Sequence, residues 1–348
     1  LLDCCFTEEN IVRFNMFVFA TETSCDDTSI CLMDNKKIIE HITFSQKIHT
    51  KHGGIVPELA SRAHLENLQE IMKILSKNPS FDLKNVDVFA ATCGPGLIGS
   101  LLVGSTFTKS LSINNSKPFI PINHLEGHVL STSFNNIIEY PHLILLLTGG
   151  HTQIYLMKDN VQIELIGETV DDAIGEAFDK TAKILGLSYP GGFEIERSAI
   201  DGDENLFEIP KPMYNEKTSN FSFSGIKTHV NLLAKKNKLD KIFIQNVSAS
   251  FQKTIVEILV NRLDYVIELM QKKKCEIKSI SVVGGVSNNK YIKNKLEKYF
   301  KTNAIKIYYP IKEMMSDNAA MIAWACLKTY NKDKSNIFFQ PDPRMKIS

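Results

Sequence analysis

The chain has 348 residues, enough for about two domains at roughly 150 residues each. Hydrophobic residues make up 43% and charged residues 23%, which is ordinary globular usage and excludes a disordered chain, a collagen-like repeat or a disulfide-stapled mini-protein. Lys plus Arg number 40 against 39 Asp plus Glu, so net charge favours neither a nucleic-acid nor a membrane partner, although such a sum can hide a local basic face.

Residues 1–15, LLDCCFTEENIVRFN, have neither the basic start and apolar core of a secretory signal nor the Arg-rich, acid-poor composition of an organelle presequence. They are expected to be a disordered or non-native extension, with the fold beginning at Met16. The seven cysteines include no Cys-x-x-Cys pair and read as reduced thiols of an intracellular protein. Apolar runs such as Leu143–Leu147 fall far short of the roughly 18 residues that span a bilayer, so no transmembrane helix is expected.

Strands are expected at Phe17–Thr21, Ile30–Met33 and Ile38–Phe44, with the polar turn ETSCDDTS between the first two. A helix over about Pro57–Ser76 carries Leu59, Ala63, Leu68, Ile71 and Leu75 near helical spacing, with Pro at a tolerated first-turn position. A strand at Val86–Thr92, the loop CGPG, a helix from Leu97 and the short strand PFIPIN lead into HLEGHVLS. The second half repeats the order: strands at Leu143–Leu147, Ile154–Met157 and Val161–Ile166, a helix over roughly Asp171–Leu185, a strand at Ile280–Val283, a helix at Tyr291–Phe300, a strand at Ile305–Tyr309 and a helix from SDNAAMIAWA. The loop-rich, then helical stretch at about 189–241 reads as an insertion. Such a duplication implies an α/β fold of two actin-like, Hsp70-like (acetate kinase superfamily) domains enclosing a nucleotide cleft, at 16–123 and 124–348.

The turns carry the chemistry. TGGH and VGGVSNN each follow an apolar strand, and paired glycines let backbone N–H groups approach a phosphate or an adenine; they also serve as plain turns. His124 and His128 in HLEGH lie at i, i+4 on one helical face, which suits a metal or a half-buried histidine pair. In the duplicated frame Asp317 occupies the matching position in the second half and is the natural third ligand. A zinc protease needs Glu directly after the first His, where Leu125 stands. Asp171, Asp172, Glu176 and Asp179 read as site carboxylates or as a solvated helix start, and FSFSGIKT as an anion-binding or simply exposed loop. His49 and His52 of HTKHGG are expected in a mobile loop. Cys25 beside Asp26 and Asp27 is a poor thiolate.

The segments ETSCDDTS, HGGIVPELASRAH, GPGLIGSLLVG, NHLEGH, LLTGGHTQ, GETVDDAIGEAFDKTAKILGL, YPGG, FSFSGIKT, VVGGVSNN and SDNAAMIAWA stand in one order from Phe17 to Tyr330. In these the chain resembles the tRNA threonylcarbamoyladenosine transferase (TsaD) family, in its bacterial or mitochondrial-type branch. The resemblance implies an acyltransferase that moves the threonylcarbamoyl group of threonylcarbamoyl-AMP to N6 of adenosine 37 in tRNAs reading codons that begin with A, releasing AMP. It implies one divalent metal per subunit, Fe2+ foremost and Zn2+ as the alternative, on His124, His128 and Asp317. It also implies substrate contacts at Leu146, Leu147, Thr148, Gly149, Gly150, Asp179, Gly192, Glu196 and Asn289. No general base follows from the sequence. The implied partners are tRNA, a separate threonylcarbamoyl-AMP synthase, and either a paralogous partner (TsaB) with an ATPase (TsaE) or, in a mitochondrial protein, a second copy. The place is cytoplasmic, or mitochondrial in the alternative. Thr148 stands where the family usually has Ser, Phe193 follows YPGG where Pro is usual, and PDPRMKIS replaces the usual PRW ending. The competing functions are a small-metabolite kinase of the same fold, a chaperone-like ATPase module and, last, a metalloprotease.

Overall fold

The computed structural model describes residues 16–78, 81–160 and 162–347. The expectation for residues 1–15 lies outside them, as does Val161. The first half runs β1 (Val18–Glu22), β2 (Asp27–Met33), β3 (Ile38–Ser45), α1 (Pro57–Leu75), β4 (Val88–Gly94), α2 (Ile98–Asn114), β5 (Phe119–Asn123) and α3 (His124–Leu130). The second runs β6 (His142–Leu147), β7 (Thr152–Met157), β8 (Ile163–Glu168), α4 (Ile174–Ile184), α5 (Gly191–Ala199), α6 (Ser224–Lys236), α7 (Lys241–Lys272), β9 (Ser279–Val283), α8 (Lys290–Thr302), β10 (Lys306–Tyr308) and α9 (Ala319–Thr329).

Both halves build a five-stranded sheet in the same order, β3-β2-β1-β4-β5 and β8-β7-β6-β9-β10. In each, the opening hairpin and third strand are antiparallel and the last two strands add in parallel. Strand alternation then sorts the side chains into layers. Phe19, Ile30 and Phe89 face outward under α1 and α2, where Leu68, Ile71 and Leu75 meet them. Leu143, Leu145 and Leu147 face the opposite outer layer, with Phe178, Phe251 and Leu296 from α4, α7 and α8. Val18, Ala20 and Ile122 of the first sheet and Ile144 and Leu146 of the second face inward on one shared core, which holds Leu125 and Val129 of α3 and Met321 and Ile322 of α9. The two helices that begin at His124 and just after Asp317 therefore lie between the sheets.

The last residues return to the first sheet although they end the second half. Asn336 N–H donates to Phe119 O, Asp342 N–H to Cys93 O, and Asn123 Nδ2 to Met345 O. Helix α4 begins at Ile174, so Asp171 and Asp172 precede it, whereas the sequence reading started the helix at Asp171. Asp171 instead accepts from Ser222 Oγ, Phe223 N, Ser224 N and Ser224 Oγ, and so holds the FSFSG turn that opens α6.

Helix α7 anchors the insertion through Arg262, which is 1% exposed. Its guanidinium donates to Glu216 O at 3.0 Å, to Thr218 O at 2.7 Å, to Met213 O and to Asn261 Oδ1. Methionine would fill the volume but remove all four of these part-buried bonds, at about 1 kcal/mol for each bond lost. Arg262→Met is expected to lower the stability by about 3 kcal/mol or more, read as a drop in the urea midpoint.

Candidate functional site

Strand β5 runs into α3 without a loop. Asn123 caps the helix, its Oδ1 accepting from Leu125 N at 2.8 Å and Glu126 N at 3.3 Å, which fixes the first turn and the ring that leads it. One turn on, His128 lies on the same face, its ring centroid 4.9 Å from that of His124. Asp317 comes from the loop before α9, next to Asn318, whose Oδ1 caps that helix at Met321 N. Its Oδ1 lies 3.0 Å from His128 Nε2 and 3.6 Å from His124 Nε2. The three donor atoms lie within 4.8 Å of one another.

Two imidazole nitrogens and one carboxylate oxygen at these separations form a donor set suited to iron or zinc. The electrostatics agree. Burial alone would lower the His124 pKa, but Glu22 and Asp317 on either side outweigh it and push it up to about 10. Burial alone would raise Asp317, yet the two rings hold it well below the usual carboxylate range. His128 is pushed down, chiefly by burial, so one positive charge already belongs at this point of the fold.

The TGGH turn closes on itself. Thr148 N–H donates to His151 O and His151 N–H to Thr148 Oγ1, both at 2.9 Å. Leu146 and Leu147 are fully buried, one in each core, so only their backbone can face a ligand. Gly149 and Gly150 are exposed, and a Cβ built on either meets nothing within 4 Å. The turn lies within electrostatic reach of the cluster: burial, then the rings of His124 and His128, press the His151 pKa down to about 4.

The remaining expected residues are joined to one another through α5 and the start of α8. Asp179 Oδ1 accepts from Gly191 N at 2.7 Å, which opens α5, and Gly192 beside it faces open space. Glu196 Oε1 accepts from Lys290 N at 2.8 Å. Asn289 is buried with both ends of its amide in use, Oδ1 capping α8 at Ile292 N and Nδ2 donating to Gln252 Oε1 at 2.6 Å. His49, expected in a mobile loop, is fully buried: its Nε2 lies 2.9 Å from Gln46 Oε1, and Gln46 in turn meets His64, whose Nε2 lies 3.0 Å from Cys25 O.

A family model described as TsaD, tRNA N6-adenosine threonylcarbamoyltransferase, matches residues 37–324. A protein of that name from Thermosipho africanus is 44% identical over 339 residues, covering 95% of this chain and 100% of that one. One from Rickettsia massiliae is 43% identical over 319 residues, covering 90% and 93%. The chain belongs to the tRNA N6-adenosine threonylcarbamoyltransferase family. Members of the family are acyltransferases, and this protein is an enzyme of that class. Among solved structures, full-length HypF in a phosphate- and nucleotide-bound form superposes with a TM-score of 0.56 at 14% identity, over 89% of this chain and 45% of that one, a likeness of fold alone. Among the described residues no helix is long and apolar enough to cross a membrane.

Two groups of this transferase escaped the sequence reading, both in ETSCDDTS. Glu22, which looks like a turn residue, ends β1 with no exposure and reaches His124. Asp26 is raised to about 6 by burial, then by the charges of Asp317 and Asp179. Asp27 beside it is raised to about 7, again first by burial. A carboxyl whose pKa is higher in the fold than in the unfolded chain binds more protons in the fold, so stability falls as pH rises between the two values. Between pH 4 and pH 8 the melting temperature of metal-free Asp27→Asn is therefore expected to rise relative to that of the metal-free wild type. The effect is read as the difference between the two curves, since the buried histidines whose pKa is lowered act in the opposite sense in both proteins. An unchanged slope in the variant places the titration elsewhere.

Proposed function

We propose that the protein transfers the threonylcarbamoyl group of threonylcarbamoyl-AMP to N6 of adenosine 37 in tRNAs reading codons that begin with A. The observation that carries this reading is the His124–His128–Asp317 donor set within electrostatic reach of an open Gly149–Gly150 turn. When bound there, a divalent metal (Fe2+ foremost, Zn2+ as the alternative) supplies Lewis-acid polarisation of an anionic substrate. The chain's own part is positioning. Threonylcarbamoyl-AMP is a mixed anhydride, so the new N6–C bond forms as the C–O bond to AMP breaks, and AMP leaves without covalent help from the protein. Thr148 N–H is committed to His151 O, so the amides offered to the adenylate are those of Gly149 and Gly150. Asp179, Gly192, Glu196 and Asn289 would hold the nucleoside, the last two by shaping its surroundings rather than by free side-chain groups. N6 of adenine is a weak nucleophile, so alignment contributes more than proton removal.

The division we propose is a lobe at 16–123 and a lobe at 124–348, the latter enlarged by about 189–241 and sending α9 and the tail back to the first sheet. As partners we propose tRNA, a separate synthase, and either the paralogous partner (TsaB) with the ATPase (TsaE) or a second copy. Exposed Leu65 and Ile74 on α1 and Ile98, Leu102 and Ile113 on the adjacent α2 support a docking surface there. The bacterial origin of the two named relatives favours the cytoplasm over mitochondria. The test is reconstitution with synthase-made threonylcarbamoyl-AMP, unmodified tRNA and, where needed, the partners. Threonylcarbamoyladenosine and AMP are the expected products. A phosphorylated small metabolite formed instead from ATP would move the assignment to the kinase reading.

A further inference from the structure

We propose that Glu22 is the positioning residue of the metal centre: it holds the Nδ1 proton of His124 and thereby turns Nε2 of that ring to Asp317 and the metal. This rests on the metal reading above and adds a residue to it.

Glu22 has no exposed surface, and a buried carboxylate persists only where donors surround it. Its Oε1 accepts from Ser24 N at 2.6 Å. Its Oε2 accepts from Thr92 Oγ1 and lies 3.1 Å from His124 Nδ1. Thr92 belongs to β4 and His124 to α3, so the carboxylate joins the ends of two neighbouring strands to the helix that carries both rings. An ionised carboxylate only accepts, so the ring nitrogen that faces it must carry a proton. Ser24 Oγ, 3.2 Å from the same Nδ1, is a hydroxyl that can donate or accept and cannot select the tautomer by itself. With Nδ1 protonated, the lone pair of His124 is on Nε2, the atom 3.6 Å from Asp317 Oδ1. A carboxylate behind a metal-bound imidazole also raises the basicity of the ligand.

The other ring is held differently. His128 Nδ1 is buried without a hydrogen-bond partner among the described residues, so packing and Asp317 alone orient it. Loss of Glu22 should therefore disturb one ring and spare the other.

The informative variant is Glu22→Gln, which keeps the shape. A carboxamide has one acceptor oxygen. If it faces Thr92 and His124, the NH2 opposes Ser24 N–H. If it faces Ser24, the NH2 donates to His124 Nδ1, and the ring proton moves to Nε2, where it blocks the metal. Either arrangement weakens the site, by about 10–100-fold in metal affinity for the loss of such a partner.

The experiment uses the full chain loaded with Zn2+ and 15N-labelled at histidine. Long-range 1H–15N spectra should show a bonded proton on Nδ1 of His124 and a metal-shifted Nε2. Zn2+ on Nδ1 would overturn the proposal whatever the variant does. In chelator competition Glu22→Gln should bind Zn2+ about 10–100-fold more weakly, with the His124 signals shifted and those of His128 in place. Melting of the metal-free variant reports its folding, and the wild-type spectrum stands without it. Wild-type affinity in Glu22→Gln, when His124→Ala has lost the metal, removes Glu22 and leaves the metal site intact. Wild-type affinity in His124→Ala as well removes the metal assignment itself.

Discussion

Asp317→Ala is expected to strip the metal from the purified protein and to lower threonylcarbamoyl transfer about a thousandfold or more, a loss of ~4 kcal/mol of transition-state stabilisation. The size follows from the position. Among the described residues Asp317 supplies the one carboxylate of the donor set and the one side chain within 4 Å of a nitrogen of each ring. Without it His124 keeps Glu22 as a counter-charge, but His128 loses its only partnered nitrogen. The fold should persist, because α9 is capped by Asn318 and held by the apolar side chains of Ala319–Cys326. His124→Ala and His128→Ala should lose the metal likewise. Both rings are buried, so these variants should also melt a few degrees lower from the cavities they leave. Metal content by elemental analysis, transfer on unmodified tRNA and thermal melting separate the effects. Full metal retention in all three variants would sink the assignment.

The cluster of His124, His128 and Asp317 was legible in the sequence because two independent signals point to it. The i, i+4 histidines read as one helical face, and the duplicated order of strands and helices brings the segment before α9 to the place of the segment before α3. The duplicated sheet was legible for the same reason: each strand run is apolar, short and bounded by polar turns. Helix α7 was not read as an element. Its buried residues, from Phe243 through Ser248, Phe251, Ile255 and Leu259 to Met270, occupy most of its circumference, so it shows no clean apolar stripe against a polar face. Glu22 escaped for another reason. Its partners Thr92 and His124 are 70 and 102 residues away, and in the sequence it is one more acid in a polar turn. The buried histidine chain from His49 through Gln46 to His64 was hidden in the same way, since only the folded loop brings those side chains together. Asp26 becomes distinctive only when burial and the charges of Asp317 and Asp179 act on it at once.

The glycine turns give the sharpest contrast, because two glycines a reader of the sequence would treat alike should fail in opposite ways. Gly150→Asp is expected to leave the melting temperature within a degree or two of wild type and to reduce transfer more than a hundredfold. Its Cβ would project into open space, and its backbone is not in the left-handed region, so the fold pays nothing for the side chain. In the binding mode proposed above, the new carboxylate would stand where the phosphate of the adenylate meets the Gly149 and Gly150 amides, repelling the anion and filling the approach. Gly284→Ala should do the reverse. Gly284 has φ +91°, and its Cβ would lie 2.5 Å from Leu147 O and 2.7 Å from Thr148 Cγ2. Left-handed strain and overpacking together should cost about 3 kcal/mol, so the variant should melt well below wild type, with whatever transfer remains lost through displacement of the TGGH turn. Gly175 closes the contact from the third side, its Cβ position 2.6 Å from Gly149 Cα and its N–H donating to Thr148 O at 3.2 Å. The open glycines are left clear for a ligand because the closed ones let the neighbouring backbones press the turn into place. Transfer by Gly150→Asp at the wild-type rate would make the turn a structural element only. A Gly284→Ala protein as stable as wild type would show that the two turns do not bear on each other.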